Sequence, residues 1–253
     1  YKILSLLCAD FHSGVNAQRR QWKLKTVPIQ PTVLPQFTYL SQQPAWFDLP
    51  QKMPANFHYT GPWHRHEVNG TADASFPWDR IDGRPLIYAS MGTLQNRVDE
   101  TFRCIAEACE GLDAQLVIAL GSKARTEMPV LPGNPIVVAF APQVALLRRA
   151  SLVITHAGLN TALETLAAGV PMVAIPVTND QPGVSARLRH VGVAKVIPIG
   201  ELKTPILREA VQSMLNDDAA RQRSKSLAED LAKNDGIARA ADLVEEHSLS
   251  RNE

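Results

Sequence analysis

The sequence predicts an α/β protein built around a doubly wound, Rossmann-like parallel sheet, with a proline-rich segment before it. From residue 86 onward, short apolar runs alternate with stretches of helical periodicity. The runs are apolar on both faces, which is typical of parallel strands that helices cover on both sides. Before residue 86, the chain holds half of the 18 prolines and all four tryptophans. Short right-handed connections between strands and helices then predict the doubly wound arrangement.

The proline-rich segment occupies residues 1–85. Prolines recur there every few residues, which excludes long helices and disfavours central strands. We expect one short helix near residues 15–22, followed by extended segments and turns.

The strands and helices of the sheet domain follow one another in alternation. The expected strands are residues 86–90, 115–120, 136–139, 152–155, 172–175 and 194–197. Helices are expected near residues 99–109, 143–149 and 183–191, and another from Asn160. After Pro205 the chain should be helical to its end, with Gly236 separating the last helix.

The helix near residues 99–109 also accounts for two of the three cysteines. Phe102, Ile105, Ala106 and Cys109 recur at intervals of three and four residues, which predicts one buried stripe. We interpret Cys109 as part of that stripe and Cys104 as its neighbour. An odd number of cysteines without a C-x-x-C pair predicts neither a disulfide framework nor a zinc site. We therefore expect no metal and a reducing, cytoplasmic environment.

Charge and hydropathy argue against two classes of partner. The formal net charge is +1, from 26 basic and 25 acidic residues, which leaves no basic field for binding nucleic acid. The apolar runs are only a few residues long, so we expect no transmembrane segment.

Three groups of polar residues follow predicted strands, where an open α/β sheet binds its ligands. The first is Gly92 with Thr93, after the strand that ends at Ser90. A glycine and a hydroxyl there let main-chain N–H groups approach a phosphate. An ordinary strand-to-helix turn explains the same residues, and the pattern by itself favours that interpretation.

The second group is the most informative and runs from His156 through Gly158 to Asn160 and Thr161, with Glu164 one turn later. Gly158 permits a tight turn, and the next helix begins where free N–H groups and the helix dipole favour a phosphate. His156 can donate a hydrogen bond to that anion, and Glu164 suits a pair of ribose hydroxyls. The spacing also permits a capping box between Thr161 and Glu164.

The third group is Asp180 with Gln181, after the strand predicted at residues 172–175. A carboxylate beside an amide suits the recognition of sugar hydroxyls, since the carboxylate accepts while the amide also donates. The alternative is a polar turn that opens a helix with Pro182 at its first position, and locally that alternative is favoured.

Together, the three groups resemble the donor signature of GT-B glycosyltransferases that use UDP-sugars. The resemblance rests on Phe140-Ala141-Pro142-Gln143, on the run from His156 to Thr161, on Glu164, and on Asp180-Gln181. It covers nearly all of residues 57–247. Within the family it extends to the bacterial zeaxanthin glucosyltransferases, through the segments that begin at Tyr88, Ile105 and Ile154.

The resemblance implies a role for each matching residue. Phe140 would stack on the uracil, the main chain around Ala141 would read the uracil edge, and Gln143 would lie nearby. The diphosphate would be held by Gly92, Thr93, His156, Asn160 and Thr161, with Gly158 allowing its close approach. Glu164 would bind the ribose, and Asp180 with Gln181 would bind the donor sugar. The co-substrate is then a UDP-sugar, with no further cofactor implied.

The family resemblance also implies inverting transfer to a hydroxyl of a lipophilic acceptor such as zeaxanthin. The family's catalytic base is a His near the start of the complete acceptor-binding domain, and residues 1–63 resemble only the tail of that domain. We therefore expect a chain that binds the donor and lacks the base, with a linker at 64–85 and a donor domain at 86–248. Asp10 and His12 imitate a base motif, but we interpret them as surface residues.

Two other functions stay open at this point. One is a UDP-sugar epimerase of the same fold, and the other is a non-catalytic domain that binds a nucleotide sugar, because fold alone does not decide function. The acceptor would bind through the acceptor domain. The tryptophans of the opening segment face either a membrane surface or the rest of that domain, and we expect the second.

Overall fold

The computed structural model describes residues 9–26, 38–63, 76–92, 99–121 and 130–249. The chain forms two compact units. The first comprises Tyr1–Leu40 and Lys52–His58, and the second comprises Ser41–Gln51 and Tyr59–Glu253. Every residue of the expected donor site belongs to the second unit. The domain limits at residues 63 and 85 stay predictions.

The first unit contains a helix, α1 (Ala9–Gln21), which begins well before the predicted start near residue 15. Its last turn contains the basic residues Arg19 and Arg20, whose positive charges interact favourably with the negative end of the helix dipole. Lys23 follows with a left-handed backbone (φ 57°), a common way to end a helix. Asp10 and His12 belong to α1, and their side chains lie outside the described part.

Two short strands occur in the rest of the proline-rich segment, β1 (Tyr39–Ser41) and β2 (Phe57–Tyr59). Single 3₁₀ turns occupy Ala45–Phe47 and Trp78–Arg80.

Six parallel strands form the centre of the second unit, as the sequence predicts. They are β3 (Leu86–Ser90), β4 (Gln115–Ala119), β5 (Ile136–Val138), β6 (Ala150–Thr155), β7 (Met172–Ala174) and β8 (Ala194–Val196). Their order across the sheet is β5-β4-β3-β6-β7-β8, and all neighbours are parallel. The chain thus winds outward from β3 in one direction and from β6 in the other, which confirms the doubly wound fold.

Helices cover the two faces of this sheet. They are α2 (Asp99–Cys109), α3 (Gln143–Leu147), α4 (Leu159–Ala167), α5 (Gln181–His190), α6 (Thr204–Leu215), α7 (Asp218–Leu231) and α8 (Gly236–Leu249). Ile87 and Ala89 of β3 pack in one apolar core with α2 and α6. Leu86 and Tyr88 point the other way, into a second core with α4 and α5. All five residues of β3 are buried, as expected for a central parallel strand.

The predicted stripe on α2 is confirmed. Phe102, Ile105 and Ala106 are at most 1% exposed, and Cys109 is 7% exposed. Burial raises the pKa of the Cys109 thiol to about 12, so this thiol is protonated and behaves as a small apolar side chain. Both Cys104 and Cys109 are free thiols.

A buried carboxylate, Asp48, ties the segment before the sheet to helix α5. Arg187 of α5 donates from Nε to one carboxylate oxygen at 2.8 Å, and its terminal nitrogen forms an ion pair with the same oxygen at 2.7 Å. The Tyr59 hydroxyl and the Gln51 amide donate to the other oxygen at 2.6 and 2.8 Å. Burial acts to raise the pKa of Asp48, but the donated hydrogen bonds and the Arg187 charge outweigh it and lower that pKa. Asp48 is therefore a charged and fully paired group inside the fold.

Within the described ranges, no helix combines the length and the apolar character needed to cross a bilayer.

We predict that Asp48→Asn lowers the free energy of unfolding by about 1–3 kcal/mol at pH 7, because the donors around the carboxylate lose a charged acceptor. The pKa of Asp48 in the folded chain lies below its ordinary value of 3.8. The Asp48 carboxylate therefore contributes its full stabilisation above about pH 4, and this stabilisation is lost as the pH falls through the lower pKa of the folded chain. The difference from wild type should thus shrink below about pH 4.

Urea unfolding at pH 7 and pH 3 measures this difference. The matched control is Asp82→Asn, which removes a carboxylate from an exposed pair with Arg84 and should change stability little at either pH. Equal losses for Asp48→Asn at both pH values would contradict the assignment.

Candidate functional site

The expected site lies where strands β3 and β6 end side by side. These two strands are neighbours in the sheet, and their last residues, Ser90 and Thr155, are paired in register. The helices that follow them, α2 and α4, pack on opposite faces of the sheet. In open α/β sheets such a reversal marks the crevice where ligands bind, so we expect the donor crevice at this edge. Gly92 and His156 follow the two strand ends and are close in space although 64 positions separate them.

Helix α4 begins at this crevice and presents unpaired main-chain donors. Gly158 is its N-cap, and the first intrahelical bond runs from the Ala162 N–H to the Gly158 carbonyl at 2.9 Å. The N–H groups of Leu159, Asn160 and Thr161 precede that bond and have no acceptor within the helix. Together with the positive end of the helix dipole, these N–H groups can bind an anion. The helix starts one residue before the predicted Asn160.

The turn that leads into α4 is tight. Ala157 adopts a left-handed backbone (φ 62°), which is uncommon for a residue other than glycine, and it is fully buried. Its N–H donates to the Thr155 hydroxyl at 3.2 Å. This local bond holds the turn that places His156 on one side of the helix end.

The His156 ring is packed between two glycines. A Cβ at Gly92 would lie 2.7 Å from both ring atoms Cε1 and Nε2, and a Cβ at Gly158 would lie 2.6 Å from Nε2. No side chain fits at either distance, so both positions must be glycine if the ring is to stay in place. Gly92 also has a positive φ of 78°, which glycine adopts without strain.

Burial lowers the pKa of His156, while the Ser90 main chain and the Asp180 carboxylate act in the opposite direction. The net shift is downward, so the ring is neutral near pH 7 and carries one N–H donor. Its Nδ1 is buried and makes no hydrogen bond of acceptable geometry with the described residues.

Glu164 is positioned by a side chain from another helix. Gln143 of α3 donates through Nε2 to a Glu164 carboxylate oxygen at 2.6 Å and lies 3.4 Å from the Thr161 hydroxyl. The Gln143 oxygen accepts a hydrogen bond from the Tyr88 hydroxyl at 3.1 Å. The capping box between Thr161 and Glu164 is not formed, because Gly158 is the N-cap and Glu164 bonds to Gln143.

Asp180 and Gln181 differ in their surroundings. Asp180 is exposed and makes no side-chain bond to the helix that it precedes. Gln181 is only 4% exposed, and its side-chain oxygen accepts from the N–H groups of Val177 and Thr178 at 2.8 and 3.0 Å. The Gln181 oxygen therefore shapes the loop after β7. Helix α5 does open at Gln181 with Pro182 in its first turn, as the local alternative predicted.

Two further expected residues, Phe140 and Ala141, lie after β5. Phe140 is 46% exposed and lies just before α3. Ala141 beside it is buried. Thr93 lies outside the described residues.

Sequence reasoning missed the contribution of Tyr88. This residue belongs to a buried strand and reads as an ordinary core position. A buried tyrosine usually needs a hydrogen-bond partner for its hydroxyl, and this requirement could have indicated that Tyr88 bonds to a polar residue of the site.

The fold and these groups together are typical of α/β proteins that bind nucleotides or nucleotide sugars at the carboxyl edge of the sheet. Residues 27–230 match the model of the family described as "UDP-glucoronosyl and UDP-glucosyl transferase". The chain belongs to this family of glycosyltransferases.

Curated relatives agree with this assignment. The chain is 33% identical over 211 residues to the zeaxanthin glucosyltransferase of Pantoea ananas, an alignment that covers 82% of this chain and 48% of that protein. It is 35% identical over 170 residues to the uncharacterized UDP-glucosyltransferase YojK of Bacillus subtilis (strain 168), covering 67% of this chain and 42% of the relative. The chain thus spans about half the length of the curated relatives it matches.

Solved structures show the same fold. The glycotransferase of kitacinnamycin superimposes with a TM-score of 0.77 at 27% identity, over 94% of this chain and 62% of that one. The calicheamicin glycosyltransferase CalG4 superimposes with a TM-score of 0.70 at 25% identity, over 95% of this chain and 60% of that one. The Rossmann-like fold expected for a domain of a GT-B glycosyltransferase is confirmed.

We predict that Gly158→Ala weakens the binding of UDP about tenfold with little loss of stability, because the added methyl displaces the His156 ring. Gly158 has a φ of −61°, so alanine is not strained there. Isothermal calorimetry with UDP measures the effect, and thermal unfolding monitors the fold.

The matched control is Gly83→Ala, where φ is +88° and nothing lies within 4 Å of the new methyl. This control strains the backbone far from the site and should lose stability while binding UDP normally. Wild-type affinity in Gly158→Ala would show that His156 does not contact the ligand.

Proposed function

We propose that this chain binds a UDP-sugar, with UDP-glucose as the preferred donor, for inverting transfer to a hydroxyl of a lipophilic acceptor such as zeaxanthin. One observation carries the donor assignment. The free N–H groups at the start of α4 and the neutral His156 ring meet at one crevice, next to a carboxylate that Gln143 holds in place. The similarity to the zeaxanthin glucosyltransferases supports the carotenoid acceptor.

Each part of the donor is assigned to one part of the crevice. The diphosphate lies against the helix end, held by Asn160 and Thr161 with His156 and the loop of Gly92 and Thr93. The ribose hydroxyls bind Glu164, and the uracil stacks on the exposed ring of Phe140 beside the Ala141 main chain. The sugar lies towards Asp180. Gln181 is assigned to the sugar together with Asp180, and its side-chain oxygen accepts two hydrogen bonds within the loop after β7.

The chemistry follows from where charge develops. As the acceptor oxygen attacks the anomeric carbon, the bond to the diphosphate breaks and negative charge grows on the leaving group. The fixed N–H groups of α4 and the His156 donor are already oriented towards that charge, so they stabilise the transition state more than the ground state. A neutral imidazole serves this purpose as a hydrogen-bond donor, which the lowered pKa of His156 permits.

The proton of the acceptor hydroxyl needs a base that the donor site as assigned does not supply. We propose that residues 1–253 bind the donor but do not transfer its sugar by themselves, and that the acceptor binds through an acceptor domain. Free thiols at Cys104 and Cys109 agree with a cytoplasmic location.

We predict that Asp180→Ala weakens UDP-glucose binding about tenfold and leaves UDP binding unchanged, because the carboxylate would contact only the sugar. Calorimetry with both ligands measures the difference. Asp113→Ala is the matched control, because Asp113 is exposed in the turn before β4, at the opposite edge of the sheet. Unchanged UDP-glucose affinity in Asp180→Ala would remove this residue from the sugar site.

We also predict that purified residues 1–253 bind UDP but form no glucosylated zeaxanthin from UDP-glucose. Product analysis by chromatography measures transfer. Incubation with UDP-N-acetylglucosamine alone distinguishes an epimerase, which would convert that compound without an acceptor. Transfer at a normal rate would show that the catalytic base lies within this chain.

A further inference from the structure

A buried hydroxyl lies behind the ribose end of the proposed donor site. Tyr88, in the middle of strand β3, is 1% exposed, and its hydroxyl donates to the Gln143 side-chain oxygen at 3.1 Å. Burial raises the pKa of Tyr88 above its ordinary range, with the Glu164 charge adding and the Ser90 hydroxyl opposing. The phenol therefore stays protonated and keeps its donor.

This hydrogen bond helps fix the orientation of an amide. An amide side chain can present either its oxygen or its nitrogen to a neighbour, and the two orientations differ only in hydrogen bonding. Because the Tyr88 hydroxyl occupies the oxygen of Gln143, the nitrogen faces Glu164 and lies 2.6 Å from a carboxylate oxygen. The reverse orientation would set the amide oxygen against a carboxylate and leave the phenol of Tyr88 without its acceptor.

The amide in turn restricts the carboxylate. Glu164 belongs to the second turn of α4, and its carboxylate would otherwise rotate freely among several rotamers. One of its oxygens is held by Gln143, while no described residue is seen to donate to the other. A carboxylate held in this way has a fixed direction for accepting further hydrogen bonds.

We propose that Tyr88 is a positioning residue for ribose selectivity, which acts through Gln143 to hold Glu164 where it accepts the 2′- and 3′-hydroxyls of the donor. This inference rests on the proposed function of the same site. It extends that function to a discrimination between ribonucleoside and 2′-deoxyribonucleoside diphosphates. Three elements contribute to it: strand β3, helix α3 and helix α4.

The test compares the affinities of UDP and 2′-deoxy-UDP by calorimetry. Wild type should prefer UDP by about tenfold or more, because a site built to bond a hydroxyl discriminates against the analogue that lacks it. In Tyr88→Phe this preference should fall to about threefold or less, with the affinity for 2′-deoxy-UDP nearly unchanged. Loss of packing alone would weaken both nucleotides equally and leave the ratio as it was.

Two further variants keep the test decisive. Gln143→Met removes the amide at a half-buried surface position, and it should lower the preference as Tyr88→Phe does even if the latter folds poorly. Tyr59→Phe removes another tyrosine hydroxyl, the one bonded to Asp48, and should keep the wild-type ratio.

The results separate this inference from the function on which it rests. If wild type binds neither nucleotide, the proposed function itself is wrong, and the role of Tyr88 fails with it. If wild type binds both nucleotides equally, UDP binding stands, but the assignment of the ribose hydroxyls to Glu164 is wrong and the role of Tyr88 is overturned with it. If Tyr88→Phe and Gln143→Met keep the full preference for UDP, the donor site stands and only the role of Tyr88 is overturned.

Discussion

The parallel pairing of β3 with β6 is the constraint on which the proposed donor site depends. It brings the end of β3 beside the end of β6, so that Gly92 lies against His156. Both strands are buried in the centre of the sheet, where main-chain hydrogen bonds and two apolar cores leave them little freedom. The imidazole is therefore held against a glycine on either side, and the start of α4 is fixed next to it. A site that must stabilise growing charge benefits from donors that need no rearrangement.

A second set of contacts controls the rim of this crevice. Gln143 links α3 to α4 through Glu164, and Arg187 links α5 to Asp48 in the segment before the sheet. Each link is a hydrogen bond to a carboxylate from a side chain far away in sequence. Charged acceptors make stronger and shorter hydrogen bonds than neutral ones, so these two links help to fix the positions of the helices that they join. The residues proposed to contact ribose and sugar thus lie on, or directly before, helices that side chains of other segments hold in place.

Periodicity located the regular structure well. The strand at Leu86–Ser90 and the helix at Asp99–Cys109 have the predicted limits, because buried strands and amphipathic helices leave patterns in the order of residues. The start of α1 was missed by six residues, since Gly14 and the polar residues around it carry no apolar period. The local choice between a capping box and a free carboxylate at Glu164 could not be made from spacing, because its actual partner, Gln143, comes from another helix.

The fold class, the family resemblance and the chemical types of the proposed site residues could all be predicted from the order of residues, because each depends on short-range patterns of side chains. Which of those side chains are available depends on the packing of the whole domain. It engages the Gln181 oxygen in its own loop, leaves Asp180 exposed, and places the Tyr88 hydroxyl behind Gln143. Whether two side chains form a hydrogen bond depends on differences of a few tenths of an ångström in the separation of donor and acceptor. Those distances are set by how the helices pack on the sheet, and no local pattern in the sequence records them.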